Sequence, residues 1–501
     1  MSAAPSARLP SLFWSLVPVA ILIALLTSSV MLFGDSSSFG PNQIALLLAS
    51  AIGIAIALAH GHRWAVLEQG IMRGISVALG AVLILLMIGA LIGTWLLAGT
   101  VPTLIYYGLQ LIDPNWFYFT CCVVCAIVSL SIGSSWTTAA TVGVAFIGVA
   151  QGLELSLAIT AGAVVSGAYF GDKMSPLSET TNLAPAVAGS ELFAHIRHMV
   201  WTSGPSLAIA LLLFAILGAG EQPQGDASRI TVITDGITAI YQVSAWNLLP
   251  LLLLLAMAIG KVPALPAIFV GALIGGLWAA LVQGDSIPLL FPELADQGWR
   301  GVVLAIWRAS FEGVKVSSEQ PGLADLLSGG GMAKMLNTVW LIICAMAFGA
   351  VMECTGMLKQ LVAQMLKLVQ GTGSLVAATL CTCIGVNVVT ADQYMSIVMP
   401  GRMFREAFRE RKLALVNLSR TLEDGGTITS PLIPWNSCGS YMFSVLLVSP
   451  ADYFMYAFFN LLNPLIAILY GFLGIKILPA PQHQAEESLF DEQQSQPQQR
   501  P

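Results

Sequence analysis

The sequence predicts an all-α polytopic membrane protein. It would consist of two inverted-topology repeats, each with five transmembrane helices and one re-entrant hairpin, and with broken helices at the midplane. Three observations predict this: the apolarity of the chain, the placement of its positive charges and an internal repeat. Of the 501 residues 56% are hydrophobic and 10% charged, against about 25% charged in soluble proteins. A mean hydropathy of +0.80 does not fit a water-exposed surface. It excludes a soluble enzyme, a nucleic-acid binder and a secreted disulfide scaffold. The net charge of −6 sits partly in the C-terminal tail and says little about partners.

The spans come from runs without Asp, Glu, Lys or Arg. These cover 11–34, 36–59, 74–112, 114–153, 155–171, 199–220, 236–260, 262–284, 335–352, 368–391, 425–451 and 453–475. A spanning helix needs roughly 20 apolar residues. The first run is a full span with no small-residue cleavage site after it, so no cleaved signal peptide is expected. Residues 479–501 are rich in Gln, Pro and Glu and predict a disordered tail.

Positive charge sets the orientation. With the N-terminus in the cytoplasm, fourteen of the 21 Lys and Arg residues fall inside, five outside, and Lys173 and Arg420 within the membrane. This works only if 115–150 and 373–400 leave one side and return to it. Each is then a re-entrant hairpin, with tips expected at Gly133–Thr138 and Gly385–Thr390. Small and polar residues suit irregular backbone, which membranes tolerate only where it lines protein or water.

The predicted organisation follows in order. Residues 1–10 form a cytoplasmic N-terminus. The first repeat, 11–220, holds helices 11–33, 42–59 and 75–98, hairpin 115–150, broken helix 155–190 and helix 199–220. An external loop spans 221–242. The second repeat, 243–478, holds helices 243–260, 262–282 and 335–351, hairpin 373–400, broken helix 413–449 and helix 453–476. It also carries an external loop, 283–335, whose 299–311 stretch could lie along the interface. The repeat shows in the residues: Ile132-Gly133-x4-Thr138-Ala139 matches Ile384-Gly385-x4-Thr390-Ala391 at an offset of 252, which Asp172 and Asp424 share. Ser175-Pro176 recurs as Ser430-Pro431 and Asn182 as Asn436 a few positions out of that frame. Such inverted repeats are the architecture of secondary transporters.

Charged residues inside a span cost about 2.5–3.5 kcal/mol each on insertion scales, so they mark function. They cluster in 171–182, in 423–436 and at Asp392. Both segments pair Gly near an acid with Pro a few residues on, which should unwind a helix. Unwound carbonyls, hydroxyls, amides and one or two carboxylates make an oxygen-only lining suited to a hard cation such as Na+. Proton and cation then compete for one carboxylate site, which is enough for cation/proton exchange. No nucleotide motif of the G-x4-G-K-[ST] kind is present, and no cofactor is expected beyond transported Na+ and H+.

Structural alternatives stand beside these roles. Asp172 and Lys173 could pair at a helix break, Glu179 could pair with Lys173, and Glu423 with Arg420 at i, i+3. Asp392 could cap the second limb of its hairpin. Ser178 and Thr429 could merely bond helix carbonyls, and Trp136 and Trp435 could serve packing. His60, His62, His195 and His198 fall in expected cytoplasmic loops, where solvated imidazoles are the default and a pH sensor the alternative. The eight cysteines lie almost all in apolar runs and read as small hydrophobes; no second pair accompanies Cys381-x-Cys383 at zinc spacing.

Two runs carry a family resemblance. Gly171-Asp172-Lys173-x-Ser175-Pro176-Leu177-Ser178-Glu179-Thr180-Thr181-Asn182-Leu183-Ala184 resembles the sodium/proton antiporter NhaC family. So does Leu422-Glu423-Asp424-Gly425-Gly426-Thr427-x-Thr429-Ser430-Pro431-Leu432-x-Pro434-Trp435-Asn436. The resemblance covers about residues 11–476 and implies the ion transporter superfamily, with a dimerising scaffold domain and an elevator-like transport domain in a bacterial inner membrane, both termini cytoplasmic. The implied site comprises Ser134, Thr137 and Thr138 at the first tip and Asn387 and Asp392 at the second. It continues with Asp172, Ser175, Glu179, Thr180, Thr181 and Asn182 in one broken helix and Glu423, Asp424, Thr427, Ser430 and Asn436 in the other. For Na+ itself the ligands would be Asp172, Thr181, Asn182, Asp424 and Asn436. The expected activity is exchange of Na+, with Li+ as a second cargo, for H+. The alternative is an ion-coupled carrier of malate and lactate or of an amino acid. An organic carboxylate usually wants an Arg fork or a free half-helix N-terminus in its pocket; the embedded Arg420 and Lys173 both have acids nearby, which favours a bare cation, while an amino acid's ammonium could still use Asp172 or Asp424.

Overall fold

A computed structural model describes residues 9–480 except 34–36, 38, 112, 221–226, 261, 317–322 and 368. The expected tail, apart from 479–480, lies outside the described residues, as does Lys261 of the charge count. The described chain is almost entirely helical. In order the helices are α1 (Leu12–Phe33), α2 (Pro41–Ala59), α3 (Trp64–Leu97), α4 (Thr100–Leu111), α5 (Phe117–Ile132), α6 (Ser135–Thr138), α7 (Val144–Gly152), α8 (Leu157–Met174), α9 (Glu179–Ala188), α10 (Leu192–Gly220), α11 (Ala227–Ile240) and α12 (Leu249–Ile259). There follow α13 (Ala264–Val282), α14 (Ile287–Leu290), α15 (Gly298–Phe311), α16 (Leu323–Leu327), α17 (Met332–Cys354), α18 (Met357–Leu366), α19 (Thr372–Thr390), α20 (Gln393–Glu410), α21 (Leu415–Leu422), α22 (Ser437–Leu446), α23 (Pro450–Tyr453) and α24 (Phe458–Leu473). Two π-helical segments, Ala139–Gly143 and Glu423–Thr427, join α6 to α7 and extend α21.

Eight helices among the described residues are long and apolar enough to cross a membrane. Two pairs that pass only together, Thr231–Ile240 with Ala245–Met257 and Pro450–Tyr456 with Phe458–Leu473, are bent by 82° and 58° and would make ten. Helix α8, which carries Asp172 and Lys173, is not among the eight. Buried apolar side chains form two clusters. The larger gathers Trp95, Tyr118, Tyr169, Phe214, Tyr441 and Phe459; the smaller gathers Leu22, Leu46, Phe348, Phe404 and Phe408. Helix α8 lies backbone-close on α5: a Cβ at Gly167 would stand 2.2 Å from the carbonyl oxygen of Cys122, and one at Gly171 2.4 Å from that of Ala126.

Backbone conformation repeats at a constant spacing, and the spacing corrects the sequence alignment. Left-handed residues end helices at Gly133 and Ala391 and again at Gly189 and Leu447; Glu154 and Lys412 share φ 55°. N-caps follow the same rule, Ser134 with Asp392 and Ser178 with Asn436. Each pair is 258 positions apart, not 252. Helices α9 and α22 begin and end in this frame. The Ile-Gly…Thr-Ala identity misled because Gly385 lies inside α19, with open space around its missing Cβ, whereas Gly133 turns the chain at φ 76°. The conformational mate of Asp172 is therefore Ser430, and that of Asp424 is Ser166.

Further boundaries differ from expectation. The stretch 385–390 is the end of α19 rather than an irregular tip; the break falls at Ala391–Asp392. The Arg-rich 402–412 loop is mostly helix, because Pro400, Phe404 and Phe408 bury one face of α20 as far as Glu410. Part of the expected external loop 221–242 is α11, whose Ile233 and Ile237, with Tyr241 just beyond, bury every fourth residue. Helix α3 starts at Trp64, not 75, and α4 follows it after the left-handed Gly99. The 299–311 stretch is α15, with Trp299 and Trp307 exposed. Cys381 is exposed and Cys354 half-buried, while the other six cysteines are buried, and all eight are free thiols.

Candidate functional site

Both acid-bearing helices break where proline and a capping side chain follow the acid. Helix α8 stops at Met174, Ser175 to Ser178 are non-helical, and the Ser178 hydroxyl oxygen accepts from Thr181 N (3.4 Å) to start α9. In the other copy α21 passes through the π-helical Glu423–Thr427 and a short 3-10 turn at Ser430–Leu432. Asn436 Oδ1 then accepts from Cys438 N (3.0 Å) to start α22.

The first tip closes on the first break. Asp172 Oδ2 accepts from Ser135 Oγ (2.6 Å) and Ser135 N (3.1 Å), so the carboxylate sits against the start of the tip. Hydrogen bonds to a charged group contribute about 1.5–3 kcal/mol each. The contact needs glycine at 133: a Cβ there would come within 2.7 Å of Leu177 C and 2.9 Å of Ser178 N. Behind Asp172 the break is pinned by Thr181, whose hydroxyl donates to the carbonyls of Lys173 (2.9 Å) and Asp172 (3.2 Å).

A cavity of about 510 Å³ opens on this junction. Ser134, Ser135, Thr137, Asp172, Ser178, Glu179 and Thr180 line it from the first copy, and Asp392, Gln393, Tyr394 and Ser437 from the second. Among the described residues its ionisable side chains include three carboxylates, Asp172, Glu179 and Asp392, and no Lys, Arg or His. Across it Tyr394 Oη donates to Glu179 Oε2 (2.5 Å). Asp392 caps α20 by accepting from Met395 N (2.8 Å).

Next to Asp172 along α8, Lys173 turns to a second cluster. Its ammonium forms an ion pair with Asp424 Oδ1, with neither side chain exposed, and donates to Asn463 Oδ1 (2.8 Å). Thr202 Oγ1 donates to the same carboxylate oxygen (3.0 Å), and Arg420 Nε lies 3.9 Å from Asp424 Oδ2. Buried around the pair without hydrogen-bond partners are both Glu423 carboxylate oxygens, Thr427 Oγ1, Asp424 Oδ2, and Nε and Nη2 of Arg420. A lone buried charge is costly, so so many orphaned groups in one place are suited to a site that takes up and gives off ions.

The second tip is tied together by amides. Asn387 Nδ2 donates to Gly426 O (2.6 Å) and Thr429 Oγ1 (3.2 Å), and Asn436 Nδ2 to Asn387 Oδ1 (3.1 Å) and O (3.2 Å). Trp435 Nε1 donates to Val388 O (2.8 Å). Trp136 stacks on Tyr441 at 4.0 Å, joining the first tip to α22.

The structure thus brings the expected residues into two neighbouring clusters and one scaffold. Ser134 is half-buried and caps α6; Thr138 donates to Ser134 O (2.9 Å) and Ser430 to Thr427 O (2.7 Å), both within their own turns. Ser175 is buried and accepts from Leu177 N (3.3 Å). Asn182 stands apart: it is exposed, and its amide donates to the carbonyls of Ser178 (2.6 Å) and Pro176 (2.9 Å). Glu179 pairs with Tyr394 rather than Lys173, and Glu423 has no bond to Arg420. His195 and His198 are not solvated loop residues but are buried in α10. Sequence reasoning missed Ser135, Tyr394, Thr202 and Asn463, having weighed embedded charges alone; Asn460 and Asn463, one turn apart inside an apolar run, were the available signal. No group of three or more His, Cys, Asp or Glu able to hold a metal occurs among the described residues.

The profile of the Na+/H+ antiporter family matches residues 167–475, from just before Asp172 to beyond α24. The chain belongs to the NhaC-type Na+/H+ antiporter family. The Na+/H+ antiporter NhaC of Alkalihalophilus pseudofirmus is 36% identical over 465 residues, covering 93% of this chain and 96% of its own length. NhaC of Bacillus subtilis is 37% identical over 432 residues, 86% and 92% of the two chains. A malate-2H+/Na+-lactate antiporter of Bacillus subtilis is 33% identical over 468 residues, 93% and 96%. The relatives named here are all antiporters.

Proposed function

We propose that this protein exchanges Na+ for H+ across a membrane, with the two ions taken in turn by buried carboxylates. The observation that carries the proposal is the adjacency of Asp172 and Lys173 at the broken end of α8. One side chain lines a cavity whose ionisable groups are acidic; the other is locked in a buried pair with Asp424. A cation held at Asp172 and the ammonium of Lys173 repel each other across neighbouring residues. Na+ and H+ compete for the Asp172 carboxylate, which is the condition for exchange. The hydroxyls of Ser135 and Thr180 and the Asp172 carboxylate supply oxygen ligands for Na+.

The same reading extends to Li+ as a second cargo, to an elevator-like movement of the segments carrying the breaks, and to a homodimer with cytoplasmic termini in a bacterial inner membrane. Family resemblance supports these. The constant spacing of 258 between 133–189 and 391–447 supports a repeated unit; repeats at 11–220 and 243–478, the second inverted, belong to the same proposal.

A second reading, an ion-coupled carrier of malate, lactate or an amino acid, draws on the malate–lactate relative and on a cavity roomier than one bare cation needs. The absence of Lys, Arg and His from the described lining speaks against an anionic cargo. The test is proteoliposomes loaded with a pH-sensitive dye and challenged with Na+, Li+, K+, malate, lactate and amino acids. Proton movement driven by Na+ alone, lost in Asp172→Asn and Asp424→Asn, is expected. Wild-type rates in both variants, or movement only with an organic solute, would reject the reading.

A further inference from the structure

A second cavity, of about 530 Å³, lies away from the two breaks and shares no lining residue with the acidic one. Tyr106, Tyr107 and Gln110 of α4 line one side of it. Tyr241 and Gln242, just beyond α11, and Asp285, between α13 and α14, line the other. Gln110, Gln242 and Asp285 are exposed, while Tyr106 and Tyr107 are half-buried. Polar side chains exposed at a mouth suit water rather than lipid. The volume is within the range of small-molecule sites, about 300–1,000 Å³.

Buried amides hold these walls together. Gln283, fully buried at the end of α13, accepts at Oε1 from Gln242 N (3.0 Å) and Ser286 Oγ (2.7 Å), and its Nε2 donates to Gln242 O (3.0 Å). Asn247 Nδ2 donates to the same carbonyl (2.7 Å) and to Thr103 Oγ1 (3.1 Å), which ties α4 to the clamp. Outside the clamp Gln242 Nε2 donates to Asp285 Oδ2 (2.9 Å). One carboxylate oxygen is thereby fixed, and Oδ1 has no hydrogen-bond partner among the described residues. Walls set in advance lower the ordering cost of binding.

Tyr241 gives a second, independent observation. It lines the cavity at 2% exposure, and its hydroxyl is buried with no hydrogen-bond partner. Buried polar groups are nearly always bonded, so an open hydroxyl on a cavity wall points to a ligand group. The lining also sets the ligand's charge. Besides the phenols Asp285 is its ionisable group, and no Lys, Arg or His accompanies it among the described residues. The rings of Tyr106 and Tyr107 stand edge to face with centroids 5.4 Å apart. Ring faces offer a hard metal ion no oxygen ligands, but they attract an organic ammonium.

We propose that this cavity is a second binding site, for a small organic ammonium that also carries a hydrogen-bonding group. The positive charge lies between Asp285 and the Tyr106–Tyr107 pair, and the polar group meets the Tyr241 hydroxyl. The site does not depend on the exchange reading.

Choline and its uncharged carbon isostere, neohexyl alcohol, separate charge from shape. Their binding is measured by calorimetry on the full-length protein in nanodiscs made without choline lipids. Saturable choline binding is expected, with the isostere weaker by about tenfold or more. Asp285→Asn and Tyr106→Leu should each weaken choline by about two- to thirtyfold, and Asp172→Asn should bind it like wild type. Tyr241→Phe deletes only an unbonded hydroxyl. It should leave the melting temperature unchanged while weakening choline, and it decides the matter if Asp285→Asn does not fold. No saturable binding, or equal binding of choline and the isostere, would overturn the site. So would choline binding that survives Asp285→Asn and Tyr241→Phe but is lost in Asp172→Asn, since the ligand would then sit in the acidic cavity.

Discussion

Lys173 of α8 and Asp424 of the π-helical extension of α21 form a salt bridge with no exposed side-chain surface, 251 residues apart in the chain. Removing one partner of such a pair leaves an uncompensated charge, at about 3–5 kcal/mol. Lys173→Met and Asp424→Leu should each lower the melting temperature sharply in detergent. The double variant should recover much of the stability, since both charges are gone, yet exchange nothing. A double variant no more stable than the singles would show that the orphaned Glu423 and Arg420 depend on the pair.

Ser135 gives Asp172 two donors, one of which is backbone. Ser135→Ala keeps the backbone bond and removes the shorter hydroxyl bond. The loss of one hydrogen bond to a charged group, about 1.5–3 kcal/mol, should lower the melting temperature, and the loss of the hydroxyl as an oxygen ligand should weaken Na+ affinity. Titration of Na+-dependent exchange would measure it.

Glycine at 133 is required twice, by its φ of 76° and by the backbone of Leu177 and Ser178 beside it. Gly133→Ala should cost about 1–2 kcal/mol for the left-handed backbone alone, and more as the tip is pushed from the break. Gly385→Ala, in open space within α19, should be neutral or slightly stabilising. Equal effects on stability and exchange would contradict the placement of the tips.

Tyr394 and Glu179 bridge the cavity from opposite copies. Tyr394→Phe and Glu179→Gln should each alter exchange, and the pair together should do no more than either alone, because the same bond is lost. Additive effects in the double-mutant cycle would show that the two act separately.

Glu191 accepts from Phe193 N (2.9 Å) and Ala194 N (2.7 Å) at the start of α10. These donors hold its carboxyl below the usual carboxylate range. The folded-state value is the lower one, so the stabilisation is complete above the ordinary glutamate range and is lost as pH falls through the depressed folded value. Melting curves of wild type and Glu191→Gln should therefore differ at neutral pH and converge in acid.

Much of the architecture was legible because apolar runs, proline and embedded charge each have a direct physical reading. The two breaks, the buried acids and the capping role open to Asp392 could all be read from residue types. The register between copies could not. Identical residues such as Gly133 and Gly385 occupy a left-handed turn in one copy and an ordinary helical position in the other, and only backbone angles separate them. Partners across copies, such as Ser135 for Asp172 or Thr202 for Asp424, depend on packing that no local pattern encodes. His195 and His198 looked solvated because the helix beginning at Leu192 was placed seven residues too late.

On the exchange reading the acidic cavity would act before any ligand bond forms. On that same reading, Asp172, Glu179 and Asp392 with no described base among them would concentrate small cations and thin out anions near the cavity mouth. Such a field reaches only about 8 Å at physiological ionic strength and contracts as salt rises. In dilute surroundings capture would therefore be quick and governed by the whole vestibule. In brine, discrimination would fall to the few oxygens at the tip itself.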